Sequence, residues 1–338
     1  MNPRHRRLIL PGLLAILLVV VVVASLTKRA DASVPPTADV VSTMTDPRIG
    51  ESSGLAVSTL HSDLAYTIND SDNAPVIYAI QISTGKTVGT TRLTGYELSD
   101  TEAMSIDGKG RIWVADTGDN NGDRGDSALY VLREPGRGSH SVRPTRYAVA
   151  YDNGPQDVEA LAINPKTGAV FLFSKGLLGG EMYEFPANPS KTEVNVLPHG
   201  PQEFPLLVTD ASFKPDGTSV VLRTYVAAYA YDSENFTEIA MALLPLQQQG
   251  ETLAYESSGR SYLIGSEGKD SQLLRIKTKS TATASAPTAT PDATKVTTAG
   301  ASDSGGGIAG AWIIGAALVA LVTSVLLVMT LRTRPGSD

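Results

Sequence analysis

Three stretches in the middle of the chain decide its fold: Glu159-Ala160-Leu161-Ala162, Val170-Phe171-Leu172-Phe173 and Met182-Tyr183-Glu184-Phe185. The first begins with an acid followed by small residues, the second is continuously apolar, and the third carries a tyrosine. The same succession occurs five times between residues 52 and 277, at a period of roughly 50 residues, which is typical of arrays of strand-built propeller blades. The sequence therefore predicts an all-β protein with the fold of a β-propeller.

The three strands recur with recognisable residues. Copies of the first are Ser53-Gly54-Leu55-Ala56, Glu102-Ala103-Met104-Ser105, Asp210-Ala211-Ser212-Phe213 and Glu251-Thr252-Leu253-Ala254. Copies of the second include Ile112-Trp113-Val114-Ala115, Val220-Val221-Leu222 and Tyr262-Leu263-Ile264. Such continuous apolar runs are typical of strands buried on both faces. A weaker fourth strand alternates in polarity, as in Thr145–Val149 and Glu193–Val196, and completes a four-stranded blade.

The blade count follows from the end of the pattern. The fifth repeat stops at Lys277 after its third strand, and a spare strand, residues 39–43, precedes the first repeat. Supplied from the N-terminus, this strand would complete the last blade and remove an exposed sheet edge. We count five blades; six are the alternative if residues 202–207 or 240–248 contain an irregular blade.

Repeated polar residues are predicted to form two concentric rings at one end of the central channel. In a propeller, the start of the innermost strand and the end of the second strand lie on the same face, near the axis. The inner ring is then Ser53, Glu102, Glu159, Asp210 and Glu251, and the outer ring is Asp70, Asp116, Lys175, Arg223 and Glu267. We call this end of the channel the mouth, and these ten residues are the candidate ligand-binding residues.

Carboxylates so close together repel one another unless a cation compensates. Lys175 and Arg223 could do so, as could a bound calcium ion, which takes six to eight oxygen ligands. The candidate metal ligands are Glu102, Asp116, Asp119, Glu159, Asp210 and Glu251, to which Asn69, Asp70, Asp100 and Asp157 could add oxygens. An equally open interpretation is structural: one polar residue per blade could bind the backbone of the next blade and hold the ring together.

Two local motifs are weaker. Asp119, Asn121 and Asp123 have the spacing of a calcium loop, but Arg124 stands where the tight-turn glycine belongs and no glutamate follows at position twelve. A looser calcium loop and a plain polar turn both remain open. Gly50-Glu51-Ser52-Ser53-Gly54 matches a hydrolase motif, yet a strand follows it rather than the helix that such a serine requires.

Composition limits the class of protein and its environment. The chain has 338 residues, no cysteine and a formal net charge of −7, without a basic cluster outside its ends. Disulfides and thiolate chemistry are therefore excluded, and nucleic acid is not the expected partner.

Both ends of the chain are hydrophobic segments. Residues 1–32 fit a signal peptide or a retained anchor: arginines, a long apolar run and Ala30-Asp31-Ala32. Residues 308–331 are uncharged and long enough to span a bilayer, and Arg332 and Arg334 follow in a short cytoplasmic tail, 332–338. Between propeller and span, residues 278–307 are rich in Thr, Ala, Ser, Pro and Gly and predict a flexible stalk. We expect a single-pass membrane protein, or a two-pass one if the first segment is retained, with an extracytoplasmic propeller.

Blocks such as Glu51-Ser52-Ser53-Gly54, Asp116-Thr117-Gly118-Asp119, Asp157-Val158-Glu159 and Leu222-Arg223-Thr224-Tyr225 together carry a resemblance. Roughly residues 39 to 277 resemble exported, membrane-anchored propeller proteins of actinobacteria and are similar to the wider NHL/TolB-like and WD40-like propellers. The likeness to propellers named for an esterase-like or phytase-like activity is more distant. The wider group is often drawn with six blades, and its resemblance implies no defined activity.

Two functions from different classes fit these observations. The first is a non-enzymatic binding module, tethered to the cell membrane, whose acidic mouth meets a ligand, a protein or a cell-envelope component. The alternative is a calcium-dependent hydrolase of phosphate or carboxylic esters. In that enzyme the ring would hold a metal that lowers the pKa of a bound water, while Lys175 and Arg223 would bind the substrate's anionic group.

Overall fold

The computed structural model describes residues 38–71 and 73–278, and within them it contains strands and no helix. The strands in chain order are β1 (Ala38–Met44), β2 (Ser52–Val57), β3 (Leu64–Asn69), β4 (Val76–Gln81), β5 (Thr87–Leu93), β6 (Thr101–Ile106), β7 (Arg111–Asp116), β8 (Ala128–Arg133), β9 (Gly138–Val142), β10 (Thr145–Tyr151), β11 (Val158–Ile163), β12 (Val170–Ser174), β13 (Met182–Phe185), β14 (Asn195–Leu197), β15 (Val208–Phe213), β16 (Ser219–Thr224), β17 (Ala227–Asp232), β18 (Glu238–Leu243), β19 (Thr252–Tyr255), β20 (Ser261–Gly265) and β21 (Ser271–Lys277).

These strands form five antiparallel sheets around an axis, which confirms the five-bladed propeller. The sheets are β2-β3-β4-β5, β6-β7-β8-β10, β11-β12-β13, β15-β16-β17-β18 and β19-β20-β21-β1, with β9 and β14 added at two outer edges. The innermost strands β2, β6, β11, β15 and β19 contact one another in a closed circle. The alternative of six blades is wrong for the described residues: residues 240–243 belong to β18, and Phe204 bridges to Gly180 beside the third blade.

The ring closes as the sequence predicts. β1 pairs antiparallel with β21, from Ala38 opposite Ile276 to Met44 opposite Ser271. The strand predicted at residues 39–43 is therefore the outermost strand of the fifth blade. It leaves no unpaired edge on β21, which is the edge through which a sheet could otherwise associate with another chain.

The third blade departs from the expected four strands. The alternating stretch predicted as its outer strand instead forms β14, which pairs in parallel with β10 of the second blade. Asn195 fixes this path, because its side-chain amide donates to the carbonyl of Ala148 at 2.9 Å. Isolated bridges from Gly180 to Phe204 and from Tyr183 to His199 lie beside the third blade.

Apolar side chains fill the five seams between neighbouring blades. Each seam holds its own buried cluster, such as Tyr66, Ile68, Met104 and Val114 between the first and second blades. The repeated tyrosine of the third strand lies in these layers, since Tyr78, Tyr130 and Tyr183 are all buried. The repeated apolar residues therefore pack between the blades, and the repeated polar residues lie at the channel.

Strand directions place the two ends of the propeller on the face opposite the mouth. Glu251 lies at the start of the innermost strand of the fifth blade, and Thr252 pairs with Gly265 at the same end. Lys277 pairs with Ser261 at the other end, and Ala38 pairs with Ile276 beside it. The chain thus enters and leaves the propeller side by side, away from the mouth.

The terminal signal peptide, stalk and membrane span predicted from the sequence lie outside the described residues. Among residues 38–71 and 73–278, no helix has the length and hydrophobicity needed to cross a bilayer.

Candidate functional site

The acids of the inner ring are buried at the mouth. Glu102, Glu159 and Glu251 stand at or beside the starts of β6, β11 and β19, and each is at most 3% exposed. In four blades the innermost hairpin has a register shift next to the ring residue, as between Val158 and Ala160. The irregularity turns the ring side chain out of the ordinary pleat of its strand.

Carboxylates converge in two overlapping groups. The first carboxylate group is Asp70, Asp100 and Glu102, and the second carboxylate group is Glu102, Asp157 and Glu159. Within each group, one oxygen from every member lies within 4.8 Å of the others. Glu102 belongs to both, so the two groups form one continuous acidic cluster across the first three blades.

Ser53 occupies the ring position of the first blade and orients Glu102. Its hydroxyl lies 2.8 Å from the Glu102 carbonyl and 3.0 Å from Glu102 Oε2. The glycine motif around it is therefore part of the acidic site, and the strand β2 that follows offers no nucleophile elbow. The described histidines do not supply a base: His61 and His140 are exposed, and His199 pairs with the exposed Asp152.

The crowding of carboxylates shifts their proton affinities. Burial, reinforced by Glu159 and Asp70, raises the pKa of Glu102 well above its ordinary value. Burial and the neighbouring Asp70 raise the pKa of Asp100 to about 7. Burial and Glu251 raise the pKa of Glu267 to about 8. A group of acids that resists ionisation in this way is stabilised by protons or by another cation.

Lys175 supplies one such cation from the chain itself. Its ammonium lies 2.8 Å from Glu159 Oε1 and 5.5 Å from the centre of the Tyr225 ring. Burial lowers the pKa of Lys175, but Glu159, Tyr225 and Glu251 raise it more, and the net result is well above its ordinary value. Lys175 is therefore a charged member of the site.

Glu251 has one oxygen that no described residue satisfies. Gln249 donates to Oε1 at 3.0 Å, while the buried Oε2 has no hydrogen-bond partner within residues 38–71 and 73–278. The charge of Glu251 acts on both Glu159 and Lys175. A buried carboxylate oxygen without a partner is unusual in a folded protein, and here it belongs to a residue whose charge acts on Glu159 of the second carboxylate group.

Asp210 and Arg223, at equivalent positions of the fourth blade, are used differently. Asp210 accepts hydrogen bonds from the amides of Ala211 and Leu253. The Arg223 guanidinium donates to the carbonyls of Thr252 and Gly265 at 2.6 and 2.9 Å. Both residues are fully buried and join the fourth blade to the fifth.

Asp116 and Asp119 also have partners within their own loop. Asp116 forms an ion pair with Arg124 at 2.6 Å and accepts the Asp100 amide at 2.9 Å. Asp119 accepts the amides of Asp123 and Arg124 at 3.0 Å each. The loop is thus folded around Arg124, and neither Asp116 nor Asp119 belongs to the two carboxylate groups.

The structure brings together part of the predicted site and leaves part of it elsewhere. Asp70, Glu102 and Glu159 meet in the two groups, joined by Asp100 and Asp157 from the wider set of candidate oxygens. The repeat pattern does not predict that Tyr225 packs against Lys175 or that Gln249 binds Glu251. The available signal was position, because both lie two residues from a ring member.

The chain has a weak structural likeness to known proteins and no match in sequence. No protein-family model and no curated protein matches the chain. Two solved structures, each described as a glucose dehydrogenase, have TM-scores of 0.45 and 0.42 at 10% and 11% identity. Each comparison covers 72% of this chain and 100% of the other. At this level of similarity the activity of those proteins is not transferred.

Proposed function

We propose that this protein is a membrane-tethered, extracytoplasmic binding module whose mouth binds a divalent cation, with calcium as the first candidate. The observation that carries the proposal is the pair of carboxylate groups that share Glu102. All of their side-chain ligands are oxygens, the donor type that calcium prefers. The cation would present an open coordination position to a protein or cell-envelope ligand.

The residues fit such an ion. The first carboxylate group offers three carboxylates, and no described Lys or Arg forms an ion pair with any of them. The unpartnered Oε2 of Glu251 is a further oxygen at the mouth. Asp116, Asp119 and Asp210 remain candidate ligands from the sequence, but the hydrogen bonds they already make favour the two groups instead.

The tether is supported by the path of the chain. The sequence has apolar segments before and after the propeller, and the propeller's two ends lie on the face away from the mouth. A stalk attached there would leave the mouth directed outward. Protease added to intact cells tests this topology. Digestion of the membrane-bound propeller would support it, and protection of the propeller from the protease would contradict it.

The alternative, a calcium-dependent hydrolase of phosphate or carboxylic esters, is favoured by one feature. Glu251 Oε2 is a carboxylate oxygen without a partner, as a general base requires. The assignment of Arg223 to a substrate anion has less support, because its side chain is fully buried and bound to two carbonyls. The binding module is therefore the preferred function.

Thermal unfolding tests the cation site. Every described strand pairing lies within residues 38–277, so this part can be prepared without the terminal segments. At a calcium concentration of about 100 times Kd, binding adds about 2.7 kcal/mol to the free energy of unfolding. For a domain of this size we expect Tm to rise by roughly 5–10 °C relative to chelator.

Two variants make the test specific. Glu102→Gln should remove most of the calcium-dependent rise, because Glu102 belongs to both groups. Asp210→Asn, at the matching position of the fourth blade, should keep it. If the Tm of the wild type does not rise with calcium, magnesium or manganese, the proposed cation site is wrong.

A further inference from the structure

The two carboxylate groups differ in whether the chain already provides a cation. In the second group, the Lys175 ammonium lies 2.8 Å from Glu159 Oε1. The backbone amide of Lys175 also donates to the carbonyl of Asp157 at 2.8 Å, which fixes the residue beside two members of the group. In the first group, none of the three carboxylates forms an ion pair with a described lysine or arginine.

The side chain of Lys175 is held in place by burial and by its neighbours. Its side chain is 11% exposed, and that of Glu159 is 3% exposed. Tyr225 packs against the ammonium with its ring centre 5.5 Å away, an arrangement that stabilises a cation through the face of the ring. The protein has thus built a cation-binding environment around the second group and filled it with its own side chain.

Glu251 gives an independent indication that this environment can hold more than the ammonium. It is 3% exposed, Gln249 satisfies only one of its oxygens, and Oε2 has no partner among the described residues. Its charge acts on Lys175 and Glu159. Three N–H bonds of an ammonium cannot satisfy the oxygens of Glu102, Asp157, Glu159 and Glu251 together.

We propose that Lys175 is a built-in counter-cation that occupies the second carboxylate group, so that the mouth binds one divalent ion, at Asp70, Asp100 and Glu102. Removing the ammonium opens a second divalent-cation site at Glu102, Asp157 and Glu159, with Glu251 as an added ligand. This inference rests on the proposed function, because it concerns the number and place of ions in the same mouth. Lys175 thereby determines the ion stoichiometry and where an incoming ligand finds its metal.

The test counts calcium ions on the full chain in detergent micelles by equilibrium dialysis and calorimetric titration, with calcium alone as the probe. The wild type should bind one ion per chain and Lys175→Met should bind two. Lys269→Met is the matched control, since Lys269 is an exposed lysine in the turn between β20 and β21 without a described ion pair, and it should bind one. The double variant Glu159→Gln/Lys175→Met removes both partners and should bind one ion.

The outcomes separate the two proposals. A wild type that binds none contradicts the proposed function itself. If the wild type and Lys175→Met each bind one ion, the cation site is supported and the proposed role of Lys175 is wrong. Two ions in the wild type lead to the same conclusion. If Lys175→Met unfolds without calcium, the dependence of its unfolding free energy on the logarithm of calcium concentration gives the number bound; a slope equal to that of the wild type overturns the inference.

Discussion

The second and third blades and the fourth blade place acids at the same repeat position but use them for different purposes. Glu102 and Glu159 project toward the channel and meet other carboxylates. Asp210 instead binds two backbone amides, and Arg223 binds two carbonyls of the fifth blade. The same repeat position is therefore part of the acidic site in two blades and a joint between blades in another.

The largest expected effect on stability is at the joint between the fourth and fifth blades, which Asp210 and Arg223 form. Asp210→Ala leaves the buried amides of Ala211 and Leu253 without an acceptor, and we expect the free energy of unfolding to fall by about 3–4 kcal/mol. Chemical denaturation measures it. The calcium-dependent rise in Tm should persist in the folded fraction, and Asp210→Asn, which keeps one acceptor, should lose less. A calcium response that disappears in both variants would place Asp210 in the site instead.

Two glycines sharpen the same comparison. A Cβ at Gly250 would lie 1.9 Å from Arg223 Nη2, inside the joint, and Gly250→Ala should cost about 2–3 kcal/mol of stability with little change in calcium affinity. A Cβ at Gly118 would lie 2.5 Å from both Asp100 Oδ2 and Glu102 Oε1. Gly118→Ala should therefore weaken calcium binding at least tenfold in a calorimetric titration, at a smaller cost in stability. If Gly250→Ala and Gly118→Ala change stability and calcium affinity equally, the distinction between the joint and the acidic site is wrong.

Two acids at the mouth, Asp100 and Glu267, should contribute to the pH dependence of stability. The folded-state pKa values of Asp100 and Glu267, about 7 and about 8, exceed their ordinary values of 3.8 and 4.5. Folding therefore favours the protonated forms; this stabilisation is complete below pH about 4 and is lost as the pH rises through 7 and 8. Because both groups are partly solvated, we expect a loss of only about 2 kcal/mol between pH 5 and 9 without metal.

Thermal unfolding across that pH range, in chelator and in calcium, measures the effect. Calcium competes with protons for the same oxygens, so it should flatten the profile. The double variant Asp100→Asn/Glu267→Gln should make the profile less steep without calcium; the slope that remains comes from other buried acids with raised pKa values, such as Glu102 and Asp210. A profile that is unchanged or steeper in the double variant would contradict the assignment to these two groups.

The smallest expected effect is at the serine of the first blade. Ser53→Ala removes the hydroxyl that lies 3.0 Å from Glu102 Oε2 and should lower stability by about 1 kcal/mol. Calcium affinity should fall severalfold, because Glu102 loses the group that orients it. Ser53→Thr keeps a hydroxyl and should restore most of the affinity; if it does not, the role of Ser53 is packing.

Most of the fold follows from the sequence because each blade repeats its own local pattern. The period, the apolar second strands and the spare strand at 39–43 were sufficient to predict five blades and the closing pair β1–β21. The fourth strand of the third blade could not be predicted correctly, since alternation identifies a strand but not the sheet edge it joins. Asn195 determines that edge through a contact with Ala148, far away in the sequence.

The position of the site could be predicted from the sequence, but not which polar residues form the site and which join neighbouring blades. Repeat registration placed Glu102, Glu159 and Lys175 at one mouth, as found. That Asp210 and Arg223 serve the seam depends on which amides and carbonyls come within reach after folding. The pairing of Asp116 with Arg124 likewise depends on the conformation of a loop whose spacing also fitted a calcium loop.

The pairing of β1 with β21 also determines when the molecule can fold during its synthesis. β1 is among the first strands to be made and its partner is the last, so the closing hydrogen bonds join residues separated by nearly the whole domain. Contacts of such long sequence separation make folding slow. Until Ser271–Lys277 has been made, β1 has no partner and the seam between the fifth and first blades stays open. A chain truncated before Ser271 would consequently keep two unpaired strand edges and be prone to associate with other chains.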